Sequence, residues 1–120
     1  MKFELISFGR KYGLPEADML FDVRCLDNPY WVPELRAMSG LDEPVRDYIF
    51  KHDESVAFVR TLLQLLTQVA AMEEKRHVLC VAIGCTGGRH RSVAVTEALA
   101  RALEDAGHET AVLHRDIERG

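Results

Sequence analysis

Residues 78–95 have the sequence VLCVAIGCTGGRHRSVAV, and they decide the fold class of this 120-residue chain. The apolar run over 77–84 is rich in valine and too short for a typical helix, which is typical of a strand buried in a parallel sheet. A glycine-rich turn follows, and then Val95 and Leu99 begin a helical repeat that runs to Gly107, where a C-cap is expected. The stretch therefore predicts a strand, a tight loop and a helix in succession.

The flanking sequence extends this unit to a small layered α/β domain, with a mainly parallel sheet flanked by helices. A short helix is expected after Pro33, and a second near Asp42, which can cap it while Pro44 fits its first turn. In such sheets ligands bind at the carboxyl ends of strands, where the glycine-rich loop, between the third strand and the last helix, would lie. The other predicted elements are strands over 3–9, 19–26 and 108–116 and a core-facing helix over 55–72.

Length and composition predict one domain over 1–120 of an ordinary globular kind. Hydrophobic residues make up 48% and charged residues 28%, and the net charge of -4 disfavours a protein wrapped in nucleic acid. No signal peptide and no apolar stretch near 18 residues is recognised, so no membrane span is predicted. Three cysteines, an odd number without CxxC spacing, favour free thiols in a reducing cytoplasmic setting and no metal site.

The loop CTGGRHRS has the composition of an anion site. Glycines let a ligand approach the backbone, and the N–H groups that begin a helix favour negative charge. Arg91 and His90 add side-chain donors, an arginine fork matches phosphate oxygens in pairs, and Ser92 supplies a hydroxyl. We therefore expect a phosphate group to bind here. The alternative is a turn whose arginines only face solvent.

A second interpretation of the same loop is catalytic. Cys85, Gly88, Arg91 and Ser92 fit the pattern C-x-x-G-x-x-R-[ST] of cysteine-dependent phosphatases, in which a thiolate attacks phosphorus. The residue before the cysteine is a glycine where those enzymes usually carry histidine, and Asp27 and Asp42 are the candidates for a general acid. A buried, inert cysteine is the structural alternative.

Several motifs together resemble the C-terminal domain of the RNase adapter RapZ family, with its YvcJ-type members. They are SFGRKYG, FDVRCLDNPYW, PELR, SGLDEPV and GCTGGRHRSV, and the similarity runs from Phe3 to Asp116. The resemblance implies a small α/β domain similar to a phosphofructokinase subdomain, which binds glucosamine-6-phosphate and, in enterobacterial members, regulatory RNA. The implied anion pocket is formed by Cys85, Thr86, Gly87, Gly88, His90 and Arg91. The resemblance further implies that four residues lie close to it, namely Asp22, Arg24, Asn28 and Pro29.

The sequence also departs from the family pattern. Asp27 stands where the family usually has proline, Cys25 where it has an aromatic residue, and Tyr30 where enterobacterial members have a histidine linked to ligand and RNA function. The chain ends in IERG rather than a basic tail, which weakens the expectation of RNA binding. It contains no GxxxxGK[ST], so P-loop hydrolysis by the family's N-terminal domain is not carried over.

The expected function is therefore a regulatory or sensor module that binds a phosphorylated metabolite, an amino-sugar phosphate by resemblance, without a cofactor. The alternatives are an RNA-binding adaptor and a phosphatase that uses Cys85 and Arg91. Lys11 is expected in the pocket, while Trp31 is expected to pack and Asp22 and Arg24 could pair with each other. The partners expected besides the ligand are RNA, a regulatory protein and, by resemblance, a second copy in a homodimer.

Overall fold

Four parallel strands form one sheet in the order β2-β3-β1-β4, according to a computed structural model that describes residues 1–119. The prediction of an α/β domain with a mainly parallel sheet is confirmed. Both central strands, β1 and β3, lie side by side in register from Lys2 and Val78 to Gly9 and Cys85. The elements are β1 Lys2–Gly9, β2 Met19–Asp22, α1 Glu43–Phe50, α2 Asp53–Met72, β3 Val78–Cys85, α3 Arg91–Asp105 and β4 Glu109–His114.

The helices pack on one face of the sheet. Residues of β1 and β3 that point to this face, such as Phe3, Leu5 and Val81, belong to one apolar core with the helices. Helix α3 lies against β1, β3 and β4, and α2 packs beside α3. The protein thus has two layers, and its core lies between the sheet and the three helices.

Local sequence explains where α1 begins and where α3 ends. Pro44 lies in the first turn of α1, as predicted, but Asp42 Oδ2 accepts a hydrogen bond from the backbone N–H of Ser39 at 2.8 Å instead of capping the helix. At the end of α3, Gly107 has φ +92° and its N–H donates to Glu104, while the N–H of His108 donates to Leu103. This pair of bonds is a Schellman motif, which satisfies the last carbonyls of the helix.

Three element predictions need correction. The second strand ends at Asp22 rather than at residue 26, because the chain turns into a bend that ties Leu26 N–H to the carbonyl of Val23. The segment after Pro33 forms successive turns instead of a helix. The last strand covers Glu109–His114 and not 108–116, because Arg115 donates its N–H to Ser7 and Asp116 turns inwards.

Helix α2 is long and apolar enough, by length and composition alone, to cross a membrane. Its Leu62 and Leu66 are buried in the core of the domain. Core helices of globular proteins commonly have this composition, and packing accounts for the apolar stripe.

Candidate functional site

A cavity of about 660 Å³ opens at the carboxyl edge of the sheet. Cys85 at the end of β3 lies in register with Gly9 at the end of β1, and Gly84 lies in register with Asp22 at the end of β2. The loops that follow these three strands therefore meet at one edge. The cavity is lined by Lys11, Asn28, Tyr30, Trp31, Arg36, Ala37, Cys85, Thr86, Gly87, Arg89, His90 and Arg91.

The glycine-rich loop rests directly on the end of β1. Gly88 has φ +76°, a conformation that favours glycine, and a Cβ placed there would lie 2.5 Å from the backbone nitrogen of Gly9. A Cβ at Gly9 would lie 2.5 Å from the carbonyl carbon of Gly87. These two close approaches fix the height of the loop above the sheet. Gly87 itself lies at the cavity wall, where an added Cβ would have nothing within 4 Å.

Backbone donors of this loop have no protein partner. The N–H of Gly88 donates to Cys85 Sγ at 3.3 Å. Within residues 1–119, the N–H groups of Gly87, Arg89 and His90 donate to no protein acceptor, and α3 begins immediately after them. Unpaired N–H groups at the start of a 15-residue helix attract negative charge, so this edge can hold an anion.

Cys85 and Ser92 hold the base of the loop together. Cys85 Sγ lies 3.1 Å from Ser92 Oγ, and both side chains are buried. The sulfur thus has a hydroxyl on one side and the Gly88 N–H on the other. These two hydrogen bonds hold the sulfur in place beneath the loop.

The guanidinium groups of Arg89 and Arg91 donate hydrogen bonds to backbone carbonyls. Arg91 Nη1 donates to the carbonyls of Arg24 at 2.8 Å and Leu26 at 3.2 Å. Within the described residues its Nε and Nη2 make no hydrogen bond to protein, and the side chain lines the cavity. Arg89 donates from its three guanidinium nitrogens to carbonyls at Met38, Ala37 and Ile117, so it clamps the surrounding segments. Of the two, Arg91 is the one with donors left for a ligand.

Charge around the cavity is of one sign. Its lining includes Lys11, Arg36, Arg89 and Arg91 but no aspartate or glutamate from residues 1–119. The chain as a whole has a net charge of -4, so the cations are concentrated here against the overall balance. A cleft lined by one sign of charge raises the local concentration of ligands of the opposite sign.

His90 is a buried residue in the wall of the cavity. The residue is 7% exposed, and its Nε2 is buried with no hydrogen-bond partner in the described part of the chain. Burial lowers the pKa of His90 below its ordinary value, and the nearby Arg89 lowers it further, against a smaller opposing effect of the carbonyls in the segment 35–38. The imidazole therefore takes up a proton less readily than an ordinary histidine side chain.

An aromatic wall faces the loop across the cavity. Asn28 Oδ1 accepts from the Tyr30 N–H at 3.1 Å, which sets the turn that presents Tyr30 and Trp31 edge to face at 5.4 Å. Arg36 stacks over the Tyr30 ring at 4.8 Å and donates to its carbonyl. Trp31 is 73% exposed, so the expectation that it packs into the protein is wrong.

Four of the predicted site residues lie outside the cavity wall. Gly88 and Ser92 act beneath it, through the contacts described above. Asp22 and Arg24 form an exposed two-pronged ion pair, and this hydrogen bonding lowers the pKa of Asp22. Arg24 therefore contributes its carbonyl to Arg91 rather than its charge to the cavity.

The two candidate general acids also lie elsewhere. Asp27 Oδ2 is 2.7 Å from His52 Nε2, and Asp42 bonds the backbone of Ser39. Neither carboxylate lines the cavity.

Sequence reasoning missed one buried residue that supports the loop. Asp116 is fully buried, and its Oδ2 accepts from the Gly9 N–H at 2.7 Å and pairs with Arg115 at 2.8 Å. Burial raises the pKa of this carboxyl, but Arg115, the Gly9 N–H and Arg119 together outweigh burial and hold its pKa below the usual value. Its position beside Arg115, directly after the last strand, was the signal in the sequence that could have identified Asp116. Asp116 anchors the end of β1 on which Gly88 rests.

Comparison with known proteins shows the family of the chain. Residues 1–118 match the family described as the RapZ C-terminal domain. The chain belongs to the RapZ C-terminal domain family. The resemblance inferred from the sequence motifs is thereby confirmed, and a regulatory or binding domain of the RapZ type is supported.

Longer bacterial proteins carry a similar domain. A nucleotide-binding protein of Nitratidesulfovibrio vulgaris is 48% identical over 125 residues, which cover 100% of this chain and 42% of that protein. One of Carboxydothermus hydrogenoformans is 45% identical over 122 residues, which cover 99% of this chain and 42% of the relative. The chain thus spans less than half the length of these relatives.

Proposed function

We propose that this RapZ-type domain is a sensor or regulatory module that binds a phosphorylated small molecule, an amino-sugar phosphate such as glucosamine-6-phosphate, in the cavity above the glycine-rich loop. The observation that carries the proposal is the set of unpaired N–H groups at Gly87, Arg89 and His90 at the start of α3. A cavity wall with four cations and no carboxylate from the described residues supports it.

The proposed phosphate position is above Gly87. Loop N–H groups and the Thr86 hydroxyl would donate to its oxygens, and Arg91 would donate from Nε and Nη2 while Nη1 stays on the carbonyls. Lys11, which is exposed at the rim, would complete the charge. Arg24 is left out of this arrangement because Asp22 already neutralises it.

The rest of the ligand would extend towards the aromatic wall. Tyr30 and Trp31 offer apolar ring surface, and Asn28 offers a polar side chain on the same wall. A sugar ring has an apolar face and several hydroxyl groups, which suits a wall of this mixed kind.

The test is a thermal-shift comparison of inorganic phosphate, glucosamine-6-phosphate, glucose-6-phosphate and adenosine monophosphate. A ligand at about 100 times its dissociation constant adds roughly 2.7 kcal/mol, which is on the order of ten degrees for a domain of this size. We expect glucosamine-6-phosphate to give the largest shift. Equal shifts from both sugar phosphates would remove the amino group from the proposal, and no shift from any phosphate compound would contradict the proposal as a whole.

Two variants locate the binding. Gly87→Ala places a methyl group at the cavity wall without touching other atoms of the protein, and Lys11→Ala removes a rim charge. Both should reduce the ligand-induced shift, whereas Lys75→Ala, another exposed lysine that is not part of the lining, should leave it unchanged. A shift that survives Gly87→Ala would place the ligand elsewhere.

A cysteine phosphatase is the second candidate, and the Cys85 Sγ to Ser92 Oγ distance of 3.1 Å favours it. The sulfur would attack phosphorus, the P–O bond to the leaving group would break, and water would later release phosphate from the sulfur. The leaving oxygen needs a proton, and no carboxyl group of residues 1–119 lines the cavity to supply it. Hydrolysis of an aryl phosphate that disappears in Cys85→Ser would establish this function, and absence of such turnover would remove it.

RNA binding is distinguished by its dependence on salt. An RNA adaptor neutralises several phosphates and loses affinity steeply as the salt concentration rises, whereas a single buried phosphate depends on salt weakly. We expect the weak dependence here, because the concentrated cations surround one cavity rather than an extended surface.

A further inference from the structure

The guanidinium group of Arg36 lies in the cavity wall with two nitrogens that have no protein partner. Its Nε donates to the carbonyl of Tyr30 at 2.9 Å, and the group lies 4.8 Å over the Tyr30 ring. Among residues 1–119, Nη1 and Nη2 find no acceptor and no carboxylate forms an ion pair with Arg36. Stacking and one hydrogen bond therefore hold the side chain, while its two outer nitrogens remain available to a ligand.

The position of Arg36 relative to the glycine-rich loop is fixed by Arg89. Arg36 belongs to the aromatic wall, which faces the loop across the cavity, whereas the proposed phosphate position is above Gly87. The carbonyls of the next two residues, Ala37 and Met38, accept hydrogen bonds from Arg89 Nη2 and Nε. Arg89 thus bridges the loop and the segment that carries Arg36, so the two sides of the cavity are held at a set separation.

The positive charge of the wall exceeds what one phosphate group needs. A phosphate monoester carries a charge of about −1.5 to −2 at neutral pH. In the proposed arrangement the loop N–H groups, Arg91 and Lys11 already surround it, and Arg89 is occupied by three carbonyls. Arg36 would then be a cation without a counter-charge, since no aspartate or glutamate of the described residues lines the cavity.

We propose that Arg36 forms a second anion subsite, so that the ligand of this cavity is a sugar phosphate with a second anionic group. This inference rests on the proposed function, because it concerns the other end of the same ligand. Nη1 and Nη2 of one guanidinium match two oxygens of an anionic group, and stacking on Tyr30 orients the fork before the ligand arrives. A second anionic group also makes an amino sugar more negative, which suits a cavity without carboxylates.

The cavity has room for such a ligand. Its volume of about 660 Å³ lies within the range of about 300–1,000 Å³ that is usual for small-molecule sites. A sphere of this volume would be about 11 Å across, and a pyranose ring with phosphate groups on C1 and C6 is comparable in length. The sugar ring would then lie between the two anion subsites, beside the aromatic side chains.

A comparison of glucose-6-phosphate with glucose-1,6-bisphosphate isolates the second anionic group, because the two probes differ by one phosphate. The chain contains a single tryptophan, Trp31, which lines the cavity, so its fluorescence reports binding there. In titrations of the wild type, the bisphosphate should bind about ten times more tightly than the monophosphate, as expected for one further charge-assisted contact.

Matched variants assign this difference to Arg36, which is exposed and can be replaced without disturbing the core. In Arg36→Met the ratio of the two affinities should fall to about two, which weaker attraction to the remaining cations would leave. Lys11→Met also removes one charge from the lining, but it should weaken both probes and keep the ratio. Arg60→Met, which replaces an exposed arginine of α2 outside the lining, should leave both affinities unchanged.

The outcomes separate this inference from the proposed function. Equal affinity of the wild type for the two probes would overturn the second subsite and leave the proposed function intact, because one phosphate would then account for binding. A tenfold preference that survives in Arg36→Met, or that Lys11→Met abolishes equally, would overturn it as well, since general charge and not Arg36 would then be responsible. If neither sugar phosphate binds, the proposed function fails and the second subsite fails with it.

Discussion

Replacing Gly88 by alanine should destabilise the domain by more than replacing either of two other glycines. The fold places Gly88 at φ +76°, and an added Cβ would lie 2.5 Å from Gly9 N, 2.8 Å from Phe8 C and 2.9 Å from Asp116 Cβ. The nearest atoms are backbone and a buried side chain, so none of them can move freely. The predicted cost therefore has a conformational part and a steric part.

The structure separates the two parts through matched variants. Gly13 has φ +94° and ψ +157°, a conformation that essentially only glycine adopts, with nothing within 4 Å of an added Cβ, so Gly13→Ala has only a conformational cost of about 1–3 kcal/mol. Gly87 has no positive φ and equally open surroundings, so Gly87→Ala should stabilise slightly, by about 0.4–1 kcal/mol through the unfolded state. Gly88→Ala adds about 1–3 kcal/mol of overpacking to a conformational cost of about 1–2 kcal/mol for its positive φ, which makes about 2–5 kcal/mol in total.

Urea unfolding followed by far-UV circular dichroism measures these differences. With a urea slope of about 2 kcal/mol per molar, the midpoint for Gly88→Ala should fall about 1–3 M below that for Gly87→Ala, with Gly13→Ala between them. If Gly88→Ala and Gly13→Ala unfold at the same midpoint, the loop does not rest on β1 as described. The steric argument for the whole cavity would then be refuted.

Three further predictions concern charged and titratable groups. The pKa of Asp116 in the folded protein lies below the unfolded value of about 3.9. The ionised carboxylate therefore stabilises the fold above that pH, and this stabilisation is lost as the pH falls through the folded pKa. Asp116→Asn should remove this part of the acid dependence of stability in urea titrations. The pKa of His90 in the folded protein is also lowered, so the unfolded chain takes up the proton first and stability should fall as the pH drops below about 6.5. In His90→Gln the slope of stability against pH in that range should decrease. An unchanged slope would contradict a neutral buried ring. Arg91→Met removes two hydrogen bonds from a charged donor and should cost about 2–3 kcal/mol, with faster hydrogen exchange in segment 24–26; normal exchange there would mean that the carbonyl contacts do not hold the segment.

The sequence by itself determined the unit around residues 78–95. An apolar run, a glycine-rich turn and a helical repeat are local patterns, and β3, the loop and α3 follow them to within a few residues. The parallel sheet and the position of the loop at a strand end followed from the order of these elements. Gly107 closes α3 as its place in the pattern indicates, because helix ends depend on a few adjacent residues.

Tertiary structure decided what each charged side chain does. Arg24 and Arg91 look equivalent as cations in the sequence, but the bend after β2 pairs the first with Asp22 and gives the second two carbonyls and a place in the cavity wall. Trp31 reaches the same wall although more than fifty residues separate it from the loop. Such partners are set by how distant segments cross in space, which local periodicity does not encode.

The face of the sheet opposite the helices shows the same division between local sequence and tertiary structure. The apolar run of β3 predicts a strand buried on both sides, and that local pattern cannot tell which layer covers each side. Only the strand order places Leu20, Ala82, Ile6 and Leu113 in one row and shows all three helices on the other face. Sequence determines the elements because backbone preference and hydrophobic period act over a few residues. The row of residues across the sheet and the wall of the cavity exist only once distant strands and loops are brought into register.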